Sequence, residues 1–146
     1  MNHDYYSDAY ISGILADCKS IALVGASPNA ARPSFGVMRF LLGKGYEVTP
    51  INPGQAGKEI LRQKVSATLA ELPGPADMID VFRASEAIPA LTDEILALPW
   101  RPKAVWMQLA IRDDAAAARL EAAGIKVVMN RCPAIEIPRL SGGAHE

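Results

Sequence analysis

A chain of 146 residues, half of them apolar, is long enough to close one well-buried core and too short for two ordinary domains. Fifteen lysines and arginines against sixteen aspartates and glutamates exclude the basic excess that marks binding to nucleic acid or anionic membranes, so any phosphate recognition has to be local. Every apolar stretch falls short of the roughly 20 residues a membrane helix needs, and Met1-Asn2-His3-Asp4-Tyr5-Tyr6 has neither the basic nor the apolar region of a secretion signal, so a cytoplasmic address is expected.

In chain order, Ala9, Ile11, Ile14 and Leu15 predict a leading helix over residues 7 to 17, ahead of a core from about 18 to 140. Ile21-Ala22-Leu23-Val24 reads as the first strand. Ser34 is then placed to cap a helix carrying Phe35, Val37, Met38, Leu41 and Leu42, which Gly43 and Gly45 close. Val48-Thr49-Pro50-Ile51 is the second strand, Ser66 ahead of Leu69 and Leu72 starts a short helix, and Met78-Ile79-Asp80-Val81-Phe82 is the third strand. Ser85 is expected to cap a helix in which Ile88, Leu91, Ile95 and Leu98 recur with helical period, with Pro89 in the permissive first turn and Pro99 at the end. Ala104-Val105-Trp106-Met107 follows as the fourth strand, then Asp113 and Asp114 open a helix over Ala115 to Ala123 that Gly124 stops. Val127-Val128-Met129 is the last strand, with no more than a short tail after it. Nearly continuous apolar runs alternating with helices mark parallel strands covered on both faces. The expected fold is a single α/β domain over 1–146: Rossmann-like and doubly wound, with a mainly parallel sheet and helices on both faces.

In such sheets ligands bind beyond the carboxyl ends of the strands, and the first strand-to-helix loop is the usual phosphate site. Here it reads Gly25-Ala26-Ser27-Pro28-Asn29-Ala30-Ala31-Arg32-Pro33-Ser34-Phe35-Gly36. Gly25 would let a phosphate approach the backbone, free N–H groups at the helix start favour an anion, and Ser27, Arg32 and Ser34 add donors. Ser27 and Ala30 stand where the dinucleotide fingerprint needs glycines, and the second strand ends in Ile51-Asn52-Pro53-Gly54, without a carboxylate for a ribose diol. A minimal NAD(P)-dependent oxidoreductase therefore fails both of its tests, whereas Asn52 and Pro53 suit an adenine or phosphorylated-ribose pocket. His3 and His145 lie beside the chain ends, which removes the commonest general base from the body of the domain. Cys18 and Cys132 have neither the number nor the spacing of a disulfide framework or metal site and are expected as reduced thiols.

Taken in order, Gly25-Ala26-Ser27, Arg32-Pro33-Ser34, Asn52-Pro53, Asp80-Val81-Phe82-Arg83, Val105-Trp106-Met107-Gln108-Leu109 and Asn130-Arg131-Cys132-Pro133 give a sequence that resembles the small bacterial CoA-binding proteins. Their domain is similar to the CoA-binding domain of the succinyl-CoA ligase alpha subunit. The resemblance spans roughly residues 12 to 140 and implies coenzyme A, in free, acylated or disulfide form, lying across the carboxyl edge of the sheet. It places Gly25, Ala26, Ser27, Arg32 and Ser34 on the phosphate-binding turn, and Asn52 and Pro53 after the second strand. Val81, Phe82 and Arg83 fall at the tip of the third strand, Gln108 and Leu109 at the fourth, and Asn130, Arg131 and Cys132 at the last. Gly54 to Lys58 and Lys64 to Ala67 depart from the family pattern, and contacts from them, a Lys58 bond to phosphate included, are not carried over.

Among these residues, Arg83 is expected to grip phosphate bidentately rather than pair with Glu86. Trp106, Met107 and Leu109 read as core side chains, with Gln108 the polar handle beside them. Asp80 interrupts an apolar strand and needs hydrogen bonds or a partner. It is expected to orient an arginine or cap a loop rather than to catalyse. Cys132 reads as a buried small hydrophobe at a place where a thiol can meet the pantetheine end, with Arg131 beside it to favour the thiolate. The ligase that the resemblance invokes also needs a phosphohistidine domain and a nucleotide-binding subunit. The expected function is thus CoA or acyl-CoA binding as a carrier, sensor or accessory module without catalysis of its own, the alternatives being a CoA-supplying subunit of an acyl-CoA enzyme or the minimal oxidoreductase. Neither nucleic acid nor membrane is an expected partner; a protein partner or a second copy is left open.

Overall fold

The computed structural model of the chain describes residues 1–144, so His145 lies outside the described residues. Five strands, β1 (Ser20–Val24), β2 (Glu47–Ile51), β5 (Met78–Val81), β6 (Ala104–Met107) and β7 (Lys126–Val128), form one sheet in the order β2-β1-β5-β6-β7. Every pairing in it is parallel. The period of two that governs strands divides the core into two layers. Ile21, Leu23, Met78, Trp106 and Val128 face α1 (Asp8–Asp17), α2 (Pro33–Gly43) and α5 (Pro133–Ala144), while Ala22, Val24, Ile79, Val81, Val105 and Met107 face α3 (Ile88–Ala97) and α4 (Asp114–Ala122). This is the doubly wound α/β architecture that the alternation of apolar runs and helices predicts.

Local chemistry explains most helix starts. Ser7 accepts the Tyr10 N–H ahead of α1, and Asp113 accepts the Ala116 N–H ahead of α4. Two expected caps are displaced. Pro33, not Ser34, opens α2, because proline suits a first helical position whose N–H would be unpaired anyway; Arg32 is the cap and Ser34 is buried in the first turn. Ser85 belongs to a 3-10 turn, Ser85–Ala87, that precedes α3, and its hydroxyl accepts the Arg112 N–H. The short helix expected after Ser66 is a single 3-10 turn, Leu69–Glu71.

Two elements go beyond the expectation. β3 (Glu59–Ile60) and β4 (Gln63–Lys64) form an antiparallel hairpin whose turn residues, Leu61 and Arg62, both take left-handed φ values of 49° and 67°. A turn of that hand normally carries asparagine or glycine, so these two side chains gave no turn signal. The expected short tail after Met129 is instead α5, entered at Pro133 and running past Pro138. Its Ile137 and Leu140 pack on the cluster that α1 and α2 also share, so tertiary burial outweighs the interior proline.

Both rims of the sheet are covered. Beyond β2, Ser66 N–H donates to Pro50 O at 3.0 Å and Asn52 N–H to Ser66 O at 2.9 Å. Along β7, the Tyr10 hydroxyl accepts from Val127 N at 3.1 Å and donates to Val127 O at 2.8 Å, and the Tyr6 hydroxyl accepts from Met129 N at 2.9 Å. Burial pushes the Tyr10 hydroxyl up to about 12, so it stays a neutral donor and acceptor at any ordinary pH. His3, next to the chain end in sequence, is buried behind this rim, its Nδ1 2.6 Å from the Tyr6 hydroxyl and its Nε2 3.2 Å from Glu121.

Candidate functional site

The chain leaves β1 for α2 on one face and β5 for α3 on the other, so a crevice opens between these two neighbouring strand tips. Gly25 sits at its base. Its φ is +87°, and a Cβ there would lie 2.3 Å from the carbonyl oxygen of Phe82. The glycine is thus required by the approach of two strand tips as well as by its backbone hand, a reason distinct from the expected approach of a phosphate. Asn52 braces the same place: its Nδ2 donates to Ala26 O at 2.7 Å while its Oδ1 accepts from Gly54 N at 2.8 Å. Asn52 therefore acts first as a strut between the loops after β1 and β2.

Two hollows run from this base. The first, of about 620 Å³, passes between α2 and the tips of β5 and β6, and Gly25, Ala26, Ser27, Arg32, Ser34, Asn52, Phe82, Arg83, Gln108, Leu109 and Cys132 are on its walls. The second, of about 680 Å³, lies over β2 and α3 and shares Gly25, Asn52 and Arg83 with the first, adding Pro53, Ala67, Leu69 and Glu94. No carboxylate lines the first cleft, whereas two guanidinium groups do. Neither Arg32 nor Arg83 makes an ion pair among the described residues, although Arg112, Arg119 and Arg139 all do; the expected competitor of Arg83, Glu86, does not engage it. Ser27 Oγ accepts from Asn29 N at 3.1 Å, which leaves its own proton to donate. The first cleft therefore presents two unpaired guanidinium groups and a hydroxyl donor, with no carboxylate against them among its lining residues.

Its inner wall is polar. Gln108, nearly buried, donates from Nε2 to Oδ1 of Asp80 at 2.7 Å, so Asp80 holds a carboxamide rather than the expected arginine or loop. Asp80 is wholly inaccessible, its Oδ2 has no partner, and burial pushes its carboxyl up to about 7, against the smaller downward pull of the Gln108 bond. Cys132 caps the start of α5. Burial raises its thiol above the ordinary value, opposed by the Ala134 and Ile135 N–H groups at the helix start, so the neutral thiol dominates near pH 7.

Not every expected residue joins this group. Val81 is fully buried in the layer facing α3, and its carbonyl accepts from Gln108 N. Asn130 lines neither cleft; with φ at 58°, it accepts the N–H of Ala110, itself at 68°, and ties the tips of β6 and β7 together. Arg131 turns away: its guanidinium lies 5.2 Å from the Tyr6 ring centroid and donates to Asn130 O, so it does not act on Cys132. Leu109, expected in the core, is 53% exposed at the cleft mouth, because the sheet ends at Met107 and the chain turns outward. Lys58 lines neither cleft. Glu94 is the residue that sequence reading missed: it reaches the second cleft from α3, where one more acidic residue on a helix carries no signal. Among the described residues no group of three or more His, Cys, Asp or Glu side chains comes together to hold a metal, and none of their helices is long and apolar enough to cross a membrane.

A parallel sheet with a guanidinium-lined crevice at its switch point is an α/β fold of the Rossmann-like kind. More narrowly, residues 19–138 match the CoA binding domain family, and the chain belongs to it. It is 35% identical over 126 residues to the uncharacterized protein YneT of Bacillus subtilis, covering 86% of this chain and 90% of that protein. Among solved structures, a Thermus thermophilus protein known as cell-free ID.343 superposes with a TM-score of 0.86 at 38% identity, covering 92% of this chain and 99% of that one. A hypothetical protein of Pyrococcus horikoshii superposes at 0.87 with 32% identity, covering 97% of each chain.

Proposed function

We propose that this chain binds coenzyme A or an acyl-CoA across the carboxyl edge of its sheet, as a carrier, sensor or accessory module without chemistry of its own. The observation that carries the reading is the pair of unengaged arginines, Arg32 and Arg83, facing a cleft free of carboxylates at the switch point. A diphosphate crosses there, held by bidentate guanidinium bonds and by the Ser27 hydroxyl. The purine end lies in the second cleft against Pro53, Ala67 and Leu69, and the pantetheine arm follows the first cleft toward Gln108 and Cys132. With the thiol held neutral and no histidine on either cleft, the site offers shape and charge rather than a base or nucleophile.

One observation favours a second reading. Glu94 in the second cleft offers a ribose-binding carboxylate, though from α3 and not from the end of β2, and a nicotinamide dinucleotide uses such a group. Calorimetry with CoA, dephospho-CoA and NAD separates the two. Coenzyme A is expected to bind tighter than NAD, and the reverse order overturns the proposal.

A further inference from the structure

Asp80 is the strangest polar residue in the protein. A fully buried carboxylate normally carries a partner for each oxygen, yet Oδ2 has none, and Oδ1 is met only by Gln108. The strands on either side present Leu23 and Trp106 at its register, and the inward residues of α2, namely Ser34, Val37, Met38 and Leu41, carry no charge. From the start of α5 the titratable neighbours are Cys132, whose thiol feels the Asp80 charge, and Glu136, which is paired with Arg139. No cation compensates Asp80 from any of these elements. Its carboxyl consequently titrates at about 7, within the range a cell experiences.

Gln108 translates that titration to the cleft. While Nε2 is tied to Asp80, Oε1 has no partner among the described residues and is not shut off from solvent, so it is left to the cleft that Gln108 lines. An ionised carboxylate only accepts, which fixes the carboxamide in this orientation. A protonated one can donate to Oε1, and the amide then presents its NH2 group outward.

We propose that Asp80 is a positioning residue that acts through Gln108 to set the hydrogen-bonding polarity of the cleft: ionised, it makes Gln108 an acceptor for an amide N–H of the bound arm, and protonated, it turns Gln108 into a donor. The inference rests on the CoA reading for the identity of that arm, not for the switch itself. Ligand affinity thereby rises with pH across neutrality by about three- to tenfold, the size of one hydrogen bond.

Two measurements test it. In the ligand-free protein, the Asp80 13Cγ and Gln108 side-chain 15N resonances are expected to titrate together with a midpoint near 7, and the Gln108 signal to stay flat in Asp80→Asn. A midpoint below 5, or a Gln108 signal indifferent to Asp80, overturns the switch. Calorimetry with CoA from pH 5.5 to 8.5 on wild type and Asp80→Asn then cancels the ionisation of the ligand's own phosphates in the ratio of the two affinities. A ratio that shifts three- to tenfold toward wild type as pH rises supports the proposal, and a constant ratio overturns its binding consequence. If neither protein binds CoA at any pH, the CoA reading fails and with it the coupling to that ligand, while the resonance titration still decides the switch. Gln108→Met guards against a misfolded Asp80→Asn, since loss of its only hydrogen bond must move the Asp80 midpoint further upward.

Discussion

Gly25→Ala puts the meeting of the β1 and β5 tips to a quantitative test. The added Cβ falls 2.3 Å from the Phe82 carbonyl oxygen, 2.9 Å from its carbon and 3.3 Å from Cδ of Arg83. The nearest atoms are backbone, so relief requires the strand tips to part by roughly 1 Å rather than a side chain to swing away. Forcing an L-residue to a φ of +87° adds about 1–2 kcal/mol, and overpacking of this kind costs about 1–3 kcal/mol. Together these come to about 2–5 kcal/mol, out of a total stability of about 5–15 kcal/mol for a domain of this kind. Gly45→Ala supplies the control, because its φ of +93° imposes the same backbone strain with nothing within 4 Å of the new atom. Equilibrium urea unfolding of both variants is expected to show Gly25→Ala less stable than Gly45→Ala by the overpacking share, with CoA binding impaired in Gly25→Ala alone. Equal losses of stability in the two would refute the argument that Phe82 dictates the glycine.

Arg32→Ala is expected to weaken CoA binding by about 10- to 150-fold, the worth of a charged hydrogen bond, with stability nearly unchanged because the side chain is exposed and unpaired; unchanged affinity in calorimetry removes Arg32 from the site. Asp80 makes stability fall with pH. Its carboxyl binds a proton more tightly in the fold, at about 7, than in the unfolded chain, at about 3.9, so its contribution is most favourable below about pH 4 and is lost as pH rises to 7, by up to about 4 kcal/mol. Denaturation curves of wild type and Asp80→Asn are therefore expected to diverge over that window, with the variant gaining, and parallel curves would contradict this. Tyr6→Phe leaves the Met129 N–H without its acceptor and is expected to cost about 1–3 kcal/mol in the same assay; a neutral result would show that solvent replaces the hydroxyl. Incubation with CoA disulfide at alkaline pH, where part of the raised Cys132 thiol ionises despite being neutral at pH 7, is expected to transfer a CoA moiety to Cys132 by thiol–disulfide exchange, releasing free CoA, whereas Cys18 is buried away from both clefts with its thiol pushed up to about 11. Intact mass after treatment of Cys18→Ser and Cys132→Ser decides it: an adduct that persists in Cys132→Ser overturns the assignment.

What could be read in the sequence and what could not divides along the range of the interactions involved. Strand runs such as Ile21–Val24 and Ala104–Met107 announce themselves because burial on both faces demands continuous apolar residues. The loop from Gly25 to Arg32 is legible because a strand tip feeding a helix start has few chemical options. Arg131 was misplaced because the direction of its side chain is set by Tyr6, 125 positions earlier, through the stacking of guanidinium on ring. Asn130 carries a local reason, tolerance of left-handed backbone, that a ligand-centred reading passes over. Glu94 enters the second cleft from α3, which packs on the face of the sheet opposite α2, and α5 was hidden by Pro133, which suits a first helical position, and by Pro138, whose cost its packing absorbs.

The capping of both rims has a consequence for how copies of this molecule can meet. A bare outer strand offers a row of backbone donors and acceptors on which an identical strand can dock, and sheets lengthen, swap or polymerise along that row. Here the row beside β7 is spent on the phenol groups of Tyr6 and Tyr10, and the one beside β2 on the backbone of Ser66. Docking of an identical strand along β7, or beyond Pro50 on β2, is thereby disfavoured, and on the β7 rim the protection comes from three hydrogen bonds made with two tyrosines.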